Sequence, residues 1–175
     1  MVDLISDDNI CGGVVIMDEQ NEVYPVHASN VVLACGGLGG LYKNSTNFPH
    51  IAGDGLGIAM KHQVVLEHLD YIQIHPTTLY SHKPGRRFLI SESVRGEGAL
   101  LYDRNGQRFT DELQPRDLLS QKIFGQMEKD ETEFVWEDMR PMGEETIMKH
   151  FPNILHRCLE AVSYTHLTLP TNSLV

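Results

Sequence analysis

The stretch NVVLACGGLGGLY (30–42) decides how this chain is built. Residues 31–35 are apolar without alternation, which predicts a buried strand inside a sheet covered on both faces. The run then meets glycines at 36, 37, 39 and 40. Such a cluster lets the backbone turn sharply or approach another group closely. It is not a dinucleotide fingerprint: a GxGxxG register beginning at Gly37 needs glycine at 42, where Tyr42 stands. On the residues alone, a plain turn and a cofactor contact both remain open.

Upstream, VDLI (2–5), GGVVIMD (12–18) and EVYPVHA (22–28) are β-rich runs separated by turn residues at 7–9 and 18–21. They predict a β-meander leading into the buried strand. Downstream, a helix is predicted from Asp54 or Gly55 to about Gln63, with Leu56, Ile58, Ala59 and Met60 facing inward. Asp54 is placed to cap its N-terminus; an acid there also suits a ribityl or ribose hydroxyl. Short extended runs follow at 64–66 and 71–74. The composition shifts near 66–70, which divides the chain into an α/β portion over 1–68 and an α+β portion over 69–160.

In that second portion, 100–103 and 107–109 flank the turn 104–106 as a hairpin. A helix is predicted from Pro115 to about Lys129, with Leu118, Leu119, Ile123, Phe124 and Met127 on one face. A short strand is expected at 134–136. Helix is expected over 143–157, interrupted at Phe151-Pro152. The tail VSYTHLTLPTNSLV (162–175) has no charge and no helical period. Residues 161–175 therefore read as a foreign or read-through segment without a fold of their own.

The totals narrow the function. Hydrophobic content of 41% and charged content of 22% suit a soluble globular protein. A net charge of −10 argues against nucleic acid as a partner. No apolar run reaches the roughly 20 residues of a membrane span, and Met1 is not followed by a signal-peptide pattern. The three cysteines are widely spaced, with neither CxxC nor HExxH, so no metal site or disulfide scaffold is signalled and a cytoplasmic setting is expected.

The chemistry concentrates between Gln73 and Arg116, in QIHPTT (73–78), KPGRRF (83–88), ISESVRGEG (90–98) and PRD (115–117). Arginines at 86, 87, 95, 104, 108 and 116 share this stretch with His75 and several hydroxyls. Guanidinium forks bind carboxylates at two points, and imidazole and hydroxyl donors fix the remaining oxygens, so the mixture suits a small dianion. Each residue also has a structural reading. His75 before Pro76 suits a satisfied core histidine, Ser91 an N-cap, Glu92 and Arg95 an i,i+3 pair, and Arg116 a salt bridge at a helix start. Arg86 and Arg87 read as loop charges.

Six segments occur in one order: LACGGLGGLY (33–42), TNFPHIAGDGLGIAM (46–60), IQIHPTTLY (72–80), FLISESVRGEGALL (88–101), GQRFTDEL (106–113) and PRD (115–117). In this they resemble the succinate dehydrogenase/fumarate reductase flavoprotein family, and in particular an internal stretch of its L-aspartate oxidase branch. The likeness covers about residues 1–160. It implies that 1–68 is the later part of an FAD-binding domain and 69–160 a capping, substrate-holding domain. It implies FAD contacts at Gly36, Gly37 and Asp54, and substrate contacts at Gln73, His75 and Ser91. It further implies a proton relay of Arg116, Glu92 and Arg95, with Arg116 exchanging the proton with the substrate carbon.

The implied reaction is oxidation of L-aspartate to iminoaspartate, with oxygen or fumarate as acceptor and quinolinate synthase as the consumer of the product. Two alternatives stand beside it. One is a succinate dehydrogenase or fumarate reductase subunit, against which Thr78 weighs, since those subunits carry glycine after HPT. The other is a fragment without activity, because the family's N-terminal GxGxxG and a downstream His/Arg segment are absent from these residues.

Overall fold

The computed structural model describes residues 1–161 and the backbone of 168–172. The chain divides into two units: Met1–Leu41 with Pro49–Ile72, and Tyr42–Phe48 with the residues from Gln73 onward.

The first unit holds the expected meander. Strands β1 (Asp3–Asp7), β2 (Ile10–Met17) and β3 (Val23–His27) pair antiparallel in that order. Gly13 makes the β2–β3 approach possible: a Cβ there would lie 2.1 Å from the Val26 carbonyl oxygen, and its φ is +136°. Helix α1 (Asp54–Lys61) is tied to β1 by Asp3, which accepts from Lys61 and sits 2.7 Å from His62 Nε2. Hydrogen bonds from these two side chains hold the Asp3 carboxyl down at about 2.

Three expectations for this unit fail. Residues 31–35 form no strand, and Val32 is 89% exposed. A parallel-type core strand needs a neighbour on each edge and cover on each face, and the described residues supply neither. Asp54 does not cap α1: the N-cap is Gly53 at φ +81°, with no side-chain cap, and Asp54 is the first helical residue. Met60 points outward at 63% exposure, leaving Ala59 as the buried residue of that helix.

The second unit is built on an antiparallel sheet of order β4-β7-β6-β5, with β4 Thr78–Leu79, β5 Leu100–Tyr102, β6 Val135–Asp138 and β7 Thr168–Asn172. The hairpin turn at 104–106 is closed by a Tyr102–Arg108 bridge. β7 lies where no fold was expected. Its backbone pairs with both β4 and β6, which satisfies groups that two open edges would leave unpaired. The other residues of the tail lie outside the described residues.

Helices α2 (Glu92–Gly96), α3 (Arg116–Asp130), α4 (Glu144–His150) and α5 (Pro152–Ala161) complete the unit. Phe151 separates α4 from α5, since the helical run cannot pass through Pro152 without losing a hydrogen bond. Two apolar cores form. Leu101, Leu119, Ile123 and Val135 make one; Ile90, Val94, Met139, Ile147 and Phe151 are the centre of the other. Leu118, expected inside, is 45% exposed, because the buried stripe of α3 passes through Leu119, Ile123 and Gln126 instead.

Arg86 and Arg87 explain why 42–48 joins this unit. Arg86 donates to the Thr46 carbonyl at 2.5 Å and stacks over Phe48; Arg87 donates to Asn44 Oδ1 at 2.9 and 3.1 Å. Among the described residues no helix is long and apolar enough to cross a membrane.

Candidate active site

Arg116 is the hub of the second unit's polar cleft. It opens α3 behind Pro115, whose fixed φ suits a helix start and whose missing N–H costs nothing there. Its guanidinium spends three nitrogens on two partners. Nε and Nη2 meet Glu92 Oε2 at 2.8 and 2.6 Å, and Nη1 donates to Gln73 Oε1 at 2.7 Å. Glu92 is the first residue of α2, and this contact holds its carboxyl below the ordinary range.

His75 lines the same cleft of about 590 Å³, with Ser91, Glu92, Ser93, Glu112 and Arg116. Its Nδ1 lies 3.0 Å from the Thr77 carbonyl oxygen and 3.3 Å from the Thr77 amide nitrogen. A neutral ring satisfies only one of these. Either Nδ1–H donates to the carbonyl and Nε2 is an acceptor, or Nδ1 accepts the amide and Nε2–H is a donor. Burial lowers the His75 pKa first, and the charges of Arg95 and Arg116 lower it further, against Thr77 and Glu92. The ring is therefore neutral at pH 7.

Ser91 caps α2: its hydroxyl oxygen accepts from the Ser93 amide at 3.3 Å and its O–H donates to Ser93 Oγ at 3.2 Å. The cap uses one lone pair, and the O–H can turn to another acceptor without breaking it. Arg95 lies one helical turn after Glu92 but is directed into the protein, only 3% exposed. Its Nη1 donates to Thr77 Oγ1 at 2.5 Å and its Nε to the Glu112 carbonyl at 3.4 Å. Glu92 and Arg95 influence each other by charge. The sequence stretch thus brings His75, Ser91, Glu92 and Arg116 to one cleft, with Gln73 bonded to Arg116 and Arg95 buried.

Sequence reasoning passed over two acids. Glu112 is 4% exposed and fully used: Oε1 accepts from the Leu101 amide at 2.9 Å, and Arg108 grips both oxygens at 3.1 and 2.6 Å. Its i,i+4 spacing from Arg108 was visible in the sequence. Glu137, fully buried in β6, was not signalled at all.

Gly36, Gly37 and Asp54 come together in the first unit. The Gly53 amide donates to the Gly37 carbonyl at 3.1 Å and the Gly40 amide to the Ile51 carbonyl at 2.8 Å, so the glycine turn and the entry to α1 hold each other. Gly36 sits at φ +80°, and nothing lies within 4 Å of where a Cβ on Gly37 would be. Gly55 has no such room: a Cβ there would meet Cys35 Cβ at 3.1 Å. An open glycine backbone beside an exposed carboxylate and an uncapped helix start suits part of a flavin nucleotide.

The family model described as "FAD binding domain" matches residues 1–172. L-aspartate oxidase of Clostridium acetobutylicum is 46% identical over 158 residues, covering 90% of this chain and 36% of that protein. L-aspartate oxidase of Clostridium perfringens is 45% identical over 161 residues, covering 91% and 36%. Among solved structures, a quinol-fumarate reductase with menaquinol molecules superposes at a TM-score of 0.87 with 29% identity, over 99% of this chain and 34% of its own. An E. coli quinol fumarate reductase follows at 0.82 and 28%, over 98% and 33%. The chain spans about a third of the length of these relatives. A match that runs almost from end to end shows that the chain belongs to the FAD-binding domain family, in the succinate dehydrogenase/fumarate reductase group of flavoproteins.

Proposed function

We propose that this segment carries the substrate-binding cleft of an FAD-dependent L-aspartate oxidase, which converts L-aspartate to iminoaspartate. The observation that carries the reading is the position of Arg116, fixed between Glu92 and Gln73 in the cleft that His75 lines. Identity of 45–46% to aspartate oxidases, against 28–29% to fumarate reductases, supports the oxidase over the dehydrogenase.

Gly36, Gly37 and Asp54 would hold part of FAD, and FAD when bound supplies the two-electron acceptor. The other steps fall to this chain's side chains. His75 and Ser91 donate to one substrate carboxylate. That carboxylate selects the ring form with Nε2–H, because only then does His75 present a donor. Arg116 supplies the counter-charge and exchanges a proton with the substrate. Free arginine, with a pKa above about 12, is a poor base. Its direct contact with the Glu92 carboxylate gives the proton a place to go, and Arg95 stands next along the relay.

Iminoaspartate is the product that quinolinate synthase would consume in NAD biosynthesis, and a cytoplasmic setting of the parent protein suits the free cysteines Cys11, Cys35 and Cys158. Oxygen or fumarate would take the electrons. The test is a side-by-side assay of the complete FAD-loaded protein with L-aspartate and with succinate as reductant. Rapid bleaching of the flavin by aspartate alone is expected; bleaching by succinate alone would install the dehydrogenase reading. His75→Ala should raise KM for aspartate about tenfold, the worth of one hydrogen bond to a charged group, with FAD content unchanged. A variant with a lowered melting temperature and an unchanged KM would return His75 to a structural role.

A further inference from the structure

Glu137 is the acid that the relay does not use, and it is held in an unusual way. It lies in β6 with an exposure of 0%, and neither carboxylate oxygen has a hydrogen-bond donor among the described residues. Glu112, equally buried, has both oxygens occupied by Arg108 and the Leu101 amide. A carboxylate withdrawn from water and left without donors is rare in a native interior and calls for a reason.

Three groups act on it from the elements packed around it: Arg95 of α2, Glu112 from the segment before α3, and Cys158 of α5. Cys158 is a neutral thiol, pushed up to about 12 by burial and then by Glu137 itself. The geometry brings Arg95 to the same interior: Glu137 stands opposite Leu101 across β5 and β6, the Leu101 amide donates to Glu112, and the Glu112 carbonyl accepts from Arg95, all of them buried. In the other direction, Glu137 is the foremost negative charge acting on Arg95, ahead of Glu92. Arg95 in turn acts on Glu92 in the cleft.

We propose that Glu137 is a positioning residue for the relay: through Arg95, its charge sets how strongly Glu92 holds a proton received from Arg116. This rests on the relay reading above. An ionised Glu137 offsets the charge of Arg95, so Glu92 feels less positive field and is the better proton acceptor. A protonated Glu137 leaves that charge uncompensated, and Glu92 is held in its ionised, weakly basic form. Burial raises the Glu137 carboxyl to about 7, with Glu112 adding to the shift and Arg95 opposing it. The change of state therefore falls in the neutral range.

The test uses the complete FAD-loaded protein with L-aspartate, measuring kcat from about pH 5.5 to about pH 8.5 for the parent, Glu137→Gln and Glu137→Leu. In the parent, kcat should rise with pH through an inflection near 7. Both variants should lack that inflection and run about three- to tenfold slower at high pH, the effect of up to one pKa unit at Glu92, with KM and FAD content unchanged. Leucine packs where glutamine fails to fold, so one variant or the other reports. A variant that keeps the parent's inflection and rate overturns the proposal. Glu92→Gln separates the two readings. Loss of turnover in it, with Glu137→Gln behaving as the parent, sinks only the role of Glu137. Unchanged turnover in Glu92→Gln sinks the relay and this proposal together.

Discussion

Arg116→Lys in the complete FAD-loaded protein should cut kcat for L-aspartate by about a hundred- to ten-thousandfold, the usual worth of a placed acid-base group, while FAD stays bound. Lysine keeps the charge but not the fork. Arg116 meets Glu92 through Nε and Nη2 and Gln73 through Nη1 at the same time. One ammonium on a flexible stem cannot hold both partners and a substrate as well. The structural alternative makes a different forecast. Arg116 and Glu92 are 39% and 51% exposed at their side chains, and an ion pair that open to water contributes at most about 1 kcal/mol. A large loss of turnover with a small change in melting temperature therefore marks a chemical role. Steady-state kinetics with flavin absorbance as the occupancy check decides it, and a variant within a few-fold of the parent would reject the assignment.

Arg95→Met should destabilise the second unit by about 2–4 kcal/mol, as expected when a buried charged donor is removed and the groups it served are left unsatisfied. The arginine leaves behind Glu137 without its cation and Thr77 Oγ1 and the Glu112 carbonyl without a donor. The double variant Arg95→Met/Glu137→Leu should recover part of that loss, because it removes the stranded charge as well, while Thr77 and the Glu112 carbonyl stay without their donor. Denaturant unfolding of the four proteins of the cycle measures the coupling. A double-variant loss equal to the sum of the two single-variant losses would show that Arg95 and Glu137 do not depend on each other.

The pH dependence of this cycle has a definite sign. The Glu137 carboxyl titrates near 7 in the folded protein, above its ordinary 4.5. The native state thus holds a proton that the unfolded chain has released. Stability is fully present below about 4.5 and falls as pH rises through about 7, by an amount on the order of 3 kcal/mol from this group alone. Glu137→Leu should flatten that slope. In Arg95→Met the penalty should grow with pH, since protonation of Glu137 relieves it at the acidic end.

Much of the local structure was legible residue by residue. The turns at 7–9 and 18–21 mark the meander, and Pro115 marks the start of α3. The interruption at Phe151-Pro152 stands where the helix breaks. These features depend on neighbours a few positions away, so sequence spacing carries them. The run 31–35 misled for the opposite reason. Its apolar pattern records a burial that other strands must provide, and the residues described here do not provide it. Asp54 misled on a finer scale: glycine at 53 takes the left-handed φ that starts α1, and the acid becomes the first helical residue.

By itself the sequence determined which residue types this protein has available for a small diacid and the order in which they come, since motif order and local turn chemistry are written in adjacent positions. Only the tertiary structure decided how those residues divide the work: Arg116 bonded to Glu92 and Gln73 in the open cleft, Arg95 turned inward to Thr77, and Glu137 buried without a donor. Residues 77, 95, 112 and 137 lie on four different segments, and no periodicity links them. They come together only because the strands and helices of one unit close around a common interior, and there desolvation, not spacing, sets what each group can do.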